Sequence, residues 1–167
     1  MSIFGIPTAA PKPQSKESVS MATLYAALLV VMVVAQLFTF EAFLALLGSF
    51  GLPGGEVTGY VLGSVLVAAQ VFTLPFLLRM TISPAFRWFS LICGGLVADI
   101  WLFLTIWVAV TGPAISSIGF LGDVVALEPG LWTIFIAVAF GILALWATWG
   151  LWPGLFKRKA AKKSRKK

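Results

Sequence analysis

Four long apolar runs constrain this chain more than any other feature. They cover residues 21–47, 57–78, 85–110 and 131–152, and each is at least as long as the roughly 20 residues that a helix needs to cross a bilayer. The chain is 60% hydrophobic and only 11% charged, so lipid is its natural solvent. The runs are continuous rather than alternating, which favours helices over barrel strands. We therefore predict an all-α integral membrane protein, a single four-helix bundle over residues 21–152.

Basic residues are unevenly distributed around these runs, and their distribution predicts an orientation. Lys12 and Lys16 precede the first run, Arg79 and Arg87 flank the link between the second and third, and the other eight follow the fourth. The remaining two connections contain neither Lys nor Arg. By the positive-inside rule, both termini face the cytoplasm. We expect a multi-pass protein of a cell inner (plasma) membrane, N-in and C-in.

The two ends of the chain differ in composition from the apolar part. Residues 1–20 carry Pro and Ser and little to bury, which indicates a mobile, extended cytoplasmic segment. Residues 153–167 form a polybasic tail, and anionic lipid headgroups attract each basic residue by about 1 kcal/mol. The tail lacks aromatic interleaving, so nucleic acid is not an expected partner. The predicted headgroup-binding residues are Lys157, Arg158, Lys159, Lys162, Lys163, Arg165, Lys166 and Lys167.

Three polar side chains fall near the centre of the predicted membrane. Counting 1.5 Å per residue places Asp99, Gln70 and Gln36 roughly 17–20, 14 and 22 Å from the cytoplasmic ends of their spans. An ionised carboxylate at that depth costs about 2.5–3.5 kcal/mol on insertion scales. Two interpretations follow. Either a neutral Asp99 donates a hydrogen bond to Gln36 or Gln70 and joins the helices, or Asp99 is a proton or ligand site in a polar cavity.

Small residues accompany these polar ones at helical spacing. Gly59 and Gly63 form a GxxxG pair in the second run, Gly95 lies one turn before Asp99, and Gly141 belongs to a small-residue stripe in the fourth run. Small residues let helix backbones approach closely. We therefore predict that these four glycines mediate helix packing and that Asp99 faces the interior of the bundle.

The connections carry further signals. The first run is long enough to tilt or to bend near Thr39–Glu41. Ser83-Pro84 and Glu128-Pro129 are typical of helix starts. The connection 111–130 keeps several apolar residues outside the predicted spans. It is expected to lie in the membrane interface or to cap the bundle, with partner docking as the alternative.

Residue types that support catalysis are scarce. The sequence has no histidine and a single cysteine, Cys93. These counts argue against His-ligated haem or zinc, a Ser–His or Cys–His pair, and an intrachain disulfide. No spacing of metal-ligating residues is recognisable either. We predict no catalytic residues, no metal and no cofactor, and an enzyme is the least favoured function class.

The order of motifs along residues 20–152 points to a family. The first run ends in FTFEAF, a GLP turn follows, the second run has the polar Gln70 halfway along, and a short basic link precedes two further runs. This order resembles the DoxX/MauE-like family of small bacterial membrane proteins, in which an acidic residue is often found where this chain has Gln70. The resemblance implies a four-helix bundle that works beside partner proteins, often in thiol-, quinone- or sulfur-linked respiration or in protein maturation.

Two functions remain in competition. The preferred one is a non-enzymatic accessory or assembly subunit in a bacterial inner membrane, which binds a membrane-protein partner or a second copy of itself. The alternative is a proton-coupled carrier of small solutes, or a quinone-interacting respiratory component, that uses Asp99. The small-residue seams favour the first, and the intramembrane carboxyl group favours the second.

Overall fold

The computed structural model describes residues 7–152, and within this range the chain forms five helices. These are α1 (Lys16–Phe38), α2 (Phe40–Gly48), α3 (Glu56–Leu77), α4 (Pro84–Thr111) and α5 (Leu131–Gly150). All of them except α2 are long and apolar enough to cross a membrane. The all-α prediction is confirmed, and the four apolar helices fit a multi-pass membrane protein.

Helix α1 begins earlier than the predicted boundary at Met21. The Ser15 side chain accepts a hydrogen bond from the Ser18 backbone N–H at 3.1 Å, so it caps the helix, and Glu17 complements the helix dipole in the first turn. Residues 7–15 are not free of the helices: their backbone N–H groups bond to the turn before α4 and to the end of α5. The extended segment is therefore shorter than predicted, and it contacts the rest of the protein.

The bend predicted near Thr39–Glu41 is a complete helix break at Thr39. This residue leaves helical geometry, with φ −117° and ψ 37°. Its hydroxyl donates to Ala35 O at 3.2 Å and accepts from the Asp123 N–H at 3.0 Å. The break therefore separates α1 from the short α2 and is stabilised by the distant 112–130 connection.

Helix α2 packs closely on the start of α3. A Cβ at Gly59 would lie 2.5 Å from the Leu47 carbonyl oxygen, and a Cβ at Gly63 would lie 2.7 Å from the Leu44 side chain. At Gly59 the near atoms are backbone, so only glycine allows this approach. At Gly63 they are the ends of leucine side chains, which would have to shift to admit a Cβ. The GxxxG pair thus lies in the contact between α2 and α3.

Helix α3 contains Pro75, and a serine from α4 compensates for the disturbed backbone. Proline has no N–H and disrupts the hydrogen bonds of the preceding turn. The Ser90 hydroxyl, fully buried, accepts from the Phe76 N–H at 3.2 Å and donates to Phe72 O. One side chain of α4 thereby bridges a donor and an acceptor of α3.

The 112–130 connection folds over one end of the helices. Gly112 ends α4 in the left-handed conformation, and the Ser117 hydroxyl accepts from the Gly119 and Leu127 N–H groups. Phe120 packs against Trp101 with ring centroids 4.5 Å apart. The connection therefore caps the helices at what we call the Phe120 end. Helix α5 then begins at Leu131 after Gly130, two residues beyond the predicted Glu128-Pro129 start.

The spanning helices pack in a defined order. Helix α4 lies between α3 and α5, and α1 contacts both α3 and α5. The fully buried large side chains include Tyr25, Trp101 and Leu104. The opposite end of the helices, where α3 ends and α4 begins, is called the Arg79 end below. One side of the contact between α4 and α5 is incompletely filled, and the candidate site lies there.

Candidate functional site

An open groove runs between α4 and α5 on the outer surface of the helices. It has a volume of about 310 Å³. Leu145 and Ile142 on its rim are 71% and 58% exposed, so in a membrane the groove opens toward lipid. Its lining is Gly95, Ala98, Asp99 and Leu102 from α4, with Val138, Gly141, Ile142, Ala144, Leu145 and Thr148 from α5.

Two glycines make this groove concave. A Cβ at Gly95 or at Gly141 would meet no atom within 4 Å apart from its own helix and chain neighbours. They differ in this from Gly59, whose missing side chain admits a neighbouring backbone. The prediction that all four glycines mediate packing within the chain is therefore corrected for Gly95 and Gly141. These two border space that a second molecule can fill.

Asp99 is the carboxyl group of the groove. It lies about 22 Å along the helix from Pro84 and about 18 Å from Thr111, at 1.5 Å per residue, so it is near mid-membrane. Its side chain is exposed, whereas the sequence pattern placed it inside. The predicted orientation of Asp99 is thus corrected: the buried face of α4 carries Val97, Trp101 and Leu104 instead.

The other two predicted site residues lie inside, away from the groove. Gln36 and Gln70 are fully buried, and neither lines the groove. The Gln36 amide donates to Phe120 O at 3.0 Å, which ties α1 to the 112–130 connection. Both amide atoms of Gln70 are buried without a hydrogen-bond partner among the described residues. The structure therefore does not bring the three polar residues into one site.

Sequence reasoning missed two buried or half-buried side chains that connect distant parts of the fold through hydrogen bonds. Tyr25 of α1 donates its hydroxyl proton to Gly94 O of α4 at 2.8 Å. The Trp107 indole N–H donates to Phe50 O at 3.1 Å. A buried tyrosine or tryptophan usually finds a polar partner, but a sequence does not identify which carbonyl it reaches. Asp99 takes part in neither bond.

The electrostatic situation of Asp99 is unusual. A charged carboxylate facing hydrocarbon costs about 2.5–3.5 kcal/mol on insertion scales. The basic residues within residues 7–152 are Lys12, Lys16, Arg79 and Arg87. All four lie at the Arg79 end of the helices, away from the membrane centre. The spans therefore supply no cation at the depth of Asp99.

The remaining predicted sites have different outcomes. The predicted headgroup-binding residues of the tail, Lys157 to Lys167, lie outside the described residues. Among residues 7–152, no group of three His, Cys, Asp or Glu side chains is arranged to hold a metal ion. Cys93 is free and buried on α4. The groove at Asp99 is therefore the best-defined candidate site.

What the groove can do chemically follows from its composition. Thr148 Oγ1 already donates to Ala144 O at 2.8 Å within α5, so it can only accept from an occupant, and Asp99 is the one ionisable group of the lining. The remaining surface is small and apolar, which suits close contact with a helix backbone or a lipid-soluble molecule. No protein-family model matches this chain, and no curated protein or solved structure is significantly similar to it.

Proposed function

We propose that this protein is a non-enzymatic accessory or assembly subunit that binds a transmembrane helix of a partner protein in the α4–α5 groove. The observation that carries the proposal is the exposed carboxyl group of Asp99 beside two glycines that border open space. Glycine and alanine surfaces allow helix backbones to approach each other in lipid, where van der Waals contact drives association. The groove thus has the composition of a helix-docking surface.

The chemistry of the partner follows from Asp99. A carboxylate in hydrocarbon is stabilised when a cation or a hydrogen-bond donor lies beside it. A partner helix with a Lys or Arg side chain at the same depth would remove much of the cost of two isolated charges. A donor such as Asn or Ser would contribute about 0.6–2 kcal/mol. We therefore expect the partner helix to carry a basic or amide side chain near its centre.

The membrane and the orientation are part of the same proposal. The chain is a four-helix bundle of the DoxX/MauE-like type in a bacterial inner membrane, with both termini in the cytoplasm. The positions of Lys12, Lys16, Arg79 and Arg87 at one end of the helices support this orientation. The apolar groove and the absence of histidine from the sequence support a binding role over a catalytic one.

A second function is favoured by one observation. The groove volume of about 310 Å³ reaches the lower end of the range of small-molecule sites. A lipid-soluble molecule with a hydroxyl group, such as a quinol, could enter from the bilayer and donate a hydrogen bond to Asp99. The alternative is then a quinone-interacting component or a proton-coupled carrier that uses this carboxyl group.

In-cell photocrosslinking separates these functions. The photoreactive residue p-benzoylphenylalanine replaces Leu145 on the groove rim or, as a matched control, Val31 on α1, which is 58% exposed. We expect the Leu145 probe to give a discrete protein adduct that is lost when Gly141→Leu fills the groove. The Val31 probe is expected to give none.

The outcomes that contradict the proposal are distinct. A small-molecule adduct at Leu145 that depends on Asp99 would replace the docking function with the quinone alternative. Equal protein adducts from Leu145 and Val31, unaffected by Gly141→Leu, would show that the groove docks no helix.

A further inference from the structure

A buried arginine at the Arg79 end has no acidic partner among residues 7–152. Arg87 lies in the first turn of α4 and is only 7% exposed. A cation near a helix N-terminus faces the positive end of the helix dipole, which is the unfavourable end. No salt bridge compensates for it within residues 7–152, and residues 1–6 and 153–167 contain no Asp or Glu. The burial of Arg87, the dipole of α4 and the missing counter-ion together favour the binding of an anion beside this guanidinium.

The partners that Arg87 does have are two neutral oxygens of a single residue. Its Nη2 donates to Thr8 O at 2.8 Å, and its Nη1 donates to Thr8 Oγ1 at 3.4 Å. A guanidinium that donates from both terminal nitrogens to two neighbouring oxygens has the geometry with which arginine binds phosphate. Thr8 therefore presents its oxygens where two phosphate oxygens would bind.

A second arginine points to the same place. Arg79 and Arg87 line one small cavity together with Ala10, Pro11, Phe76 and Leu151. The Arg79 Nε is buried without a hydrogen-bond partner among the described residues. Arg79 also has φ 55°, a left-handed conformation that helix ends usually give to glycine. An unsatisfied donor is thus held beside Arg87 by a strained backbone.

The segment that covers the two arginines is held separately at its two ends. Gln14 bonds to the end of α5, whereas Thr8 and Ala9 are exposed, and the one bond of Thr8 besides those from Arg87 is from its N–H to Ile82 O at 3.2 Å. The cavity beneath the segment, about 10 Å³, has room for about one water molecule. A phosphate group can therefore reach both arginines only when Thr8 moves away.

The depth of these arginines identifies the source of the phosphate. Trp88 packs against Trp152 with ring centroids 5.1 Å apart, directly beside Arg87 in sequence. Tryptophans gather at the level of lipid headgroups, and basic pockets between transmembrane helices bind anionic headgroups. The two arginines thus lie where phospholipid phosphates are concentrated, whichever way the protein is oriented.

We propose that Arg79 and Arg87 bind the phosphate group of an anionic phospholipid, which displaces Thr8 from Arg87 and releases residues 7–11 from the start of α4. This site is separate from the groove at Asp99 and does not depend on a partner helix. Binding there differs from a general attraction to basic residues, because it requires two specific arginines rather than a sum of charges.

The test measures lipid binding and segment release on the full-length protein. Native mass spectrometry in detergent counts bound phosphatidylglycerol, with phosphatidylcholine as the comparison lipid. Labelling of Ala10→Cys by a water-soluble maleimide reports release, because Ala10 is half-buried and lines the cavity beside the two arginines, and the natural Cys93 is buried. We expect phosphatidylglycerol to speed labelling, and Arg87→Gln and Arg79→Gln each to weaken its binding about tenfold. Lys12→Gln also removes one positive charge and is the matched control: its phosphatidylglycerol binding is expected to stay within about twofold of that of the parent protein.

A carboxylate placed at position 8 separates the proposal from a loss of folding. Thr8→Asp supplies Arg87 with an internal counter-ion, so we expect about tenfold weaker lipid binding together with slower labelling. Arg87→Gln weakens lipid binding as well but speeds labelling, because it releases Thr8. Binding that is equal in the parent protein and Thr8→Asp would overturn the site. Inorganic phosphate that releases the segment as well as phosphatidylglycerol would overturn the lipid as the ligand.

Discussion

Replacing Ser90 with alanine is expected to destabilise the contact between α3 and α4 by about 2 kcal/mol. The substitution removes the hydroxyl that accepts from the Phe76 N–H and donates its one proton to the neighbouring Phe72 or Thr73 carbonyl group. Ser90 is fully buried, so no water replaces the hydroxyl. One donor and one acceptor lose their partner, and each unsatisfied group costs about 1 kcal/mol in a membrane protein.

The assay is reversible unfolding in mixed micelles with increasing dodecyl sulfate, followed by tryptophan fluorescence. Ser64→Ala is the matched control, because Ser64 lies on α3, is exposed and bonds only within its helix. Its cost is expected to be below about 0.5 kcal/mol. Pro75→Ala removes the ring that disturbs this turn, so the Phe76 N–H can bond to Phe72 O within the helix and the cost of Ser90→Ala should fall. Equal losses for Ser90→Ala and Ser64→Ala would refute the bridging role of Ser90.

Two further predictions use the same unfolding assay. Gly59→Ala is expected to lower the free energy of unfolding by about 1–3 kcal/mol because its Cβ would clash with α2. Gly95→Ala faces open space, so it is expected to be neutral or to stabilise the protein by up to about 1 kcal/mol. Equal effects of the two substitutions would contradict the packing described. Gln70→Met is expected to stabilise the protein by about 1 kcal/mol because it removes an unsatisfied amide. Gln36→Met is expected to destabilise it because Phe120 O loses its hydrogen-bond donor. A destabilising effect of Gln70→Met would show that the Gln70 amide is bonded.

The membrane spans could be predicted from the sequence because length and hydropathy decide them. A helix must contain about 20 apolar residues to cross lipid, and its backbone must be satisfied within the helix. The Ser83-Pro84 pair likewise predicts the start of α4, and the Ser83 side chain accepts from the Phe86 N–H at 3.2 Å. The Ser15 cap offered the same kind of signal at the start of α1. It was missed because the apolar run begins only at Met21.

The direction in which Asp99 points could not be predicted, for a physical reason. In a soluble protein the polar face of a helix is the exposed one, but α4 is apolar all round, so periodicity does not separate lipid from interior. Ile92, Gly95, Asp99 and Phe103 follow one another at helical spacing on one face of α4, and the Gly95–Asp99 pair predicted that this face packs inside. Ile92 and Phe103 are nevertheless 61% and 49% exposed. The bulky Trp101 occupies the interior instead.

Long-range hydrogen bonds were the other unpredictable part. Gln36 is bonded to the carbonyl group of Phe120, a residue 84 positions away in sequence. That contact depends on how the 112–130 connection folds, which in turn depends on left-handed turns at Gly119 and Gly122. The sequence left three placements of this connection open. Only the packed structure selects the capping one.

Binding of synthetic transmembrane helices to the reconstituted protein tests the central claim most directly. Energy transfer in vesicles compares a Leu/Ala helix that has one central lysine with the same helix that has leucine there. We predict that the lysine helix binds at least about tenfold more tightly, which is about 1.4 kcal/mol, and that Asp99→Asn removes this preference. A lysine helix that binds the parent protein and Asp99→Asn with equal affinity would contradict the docking role of the groove.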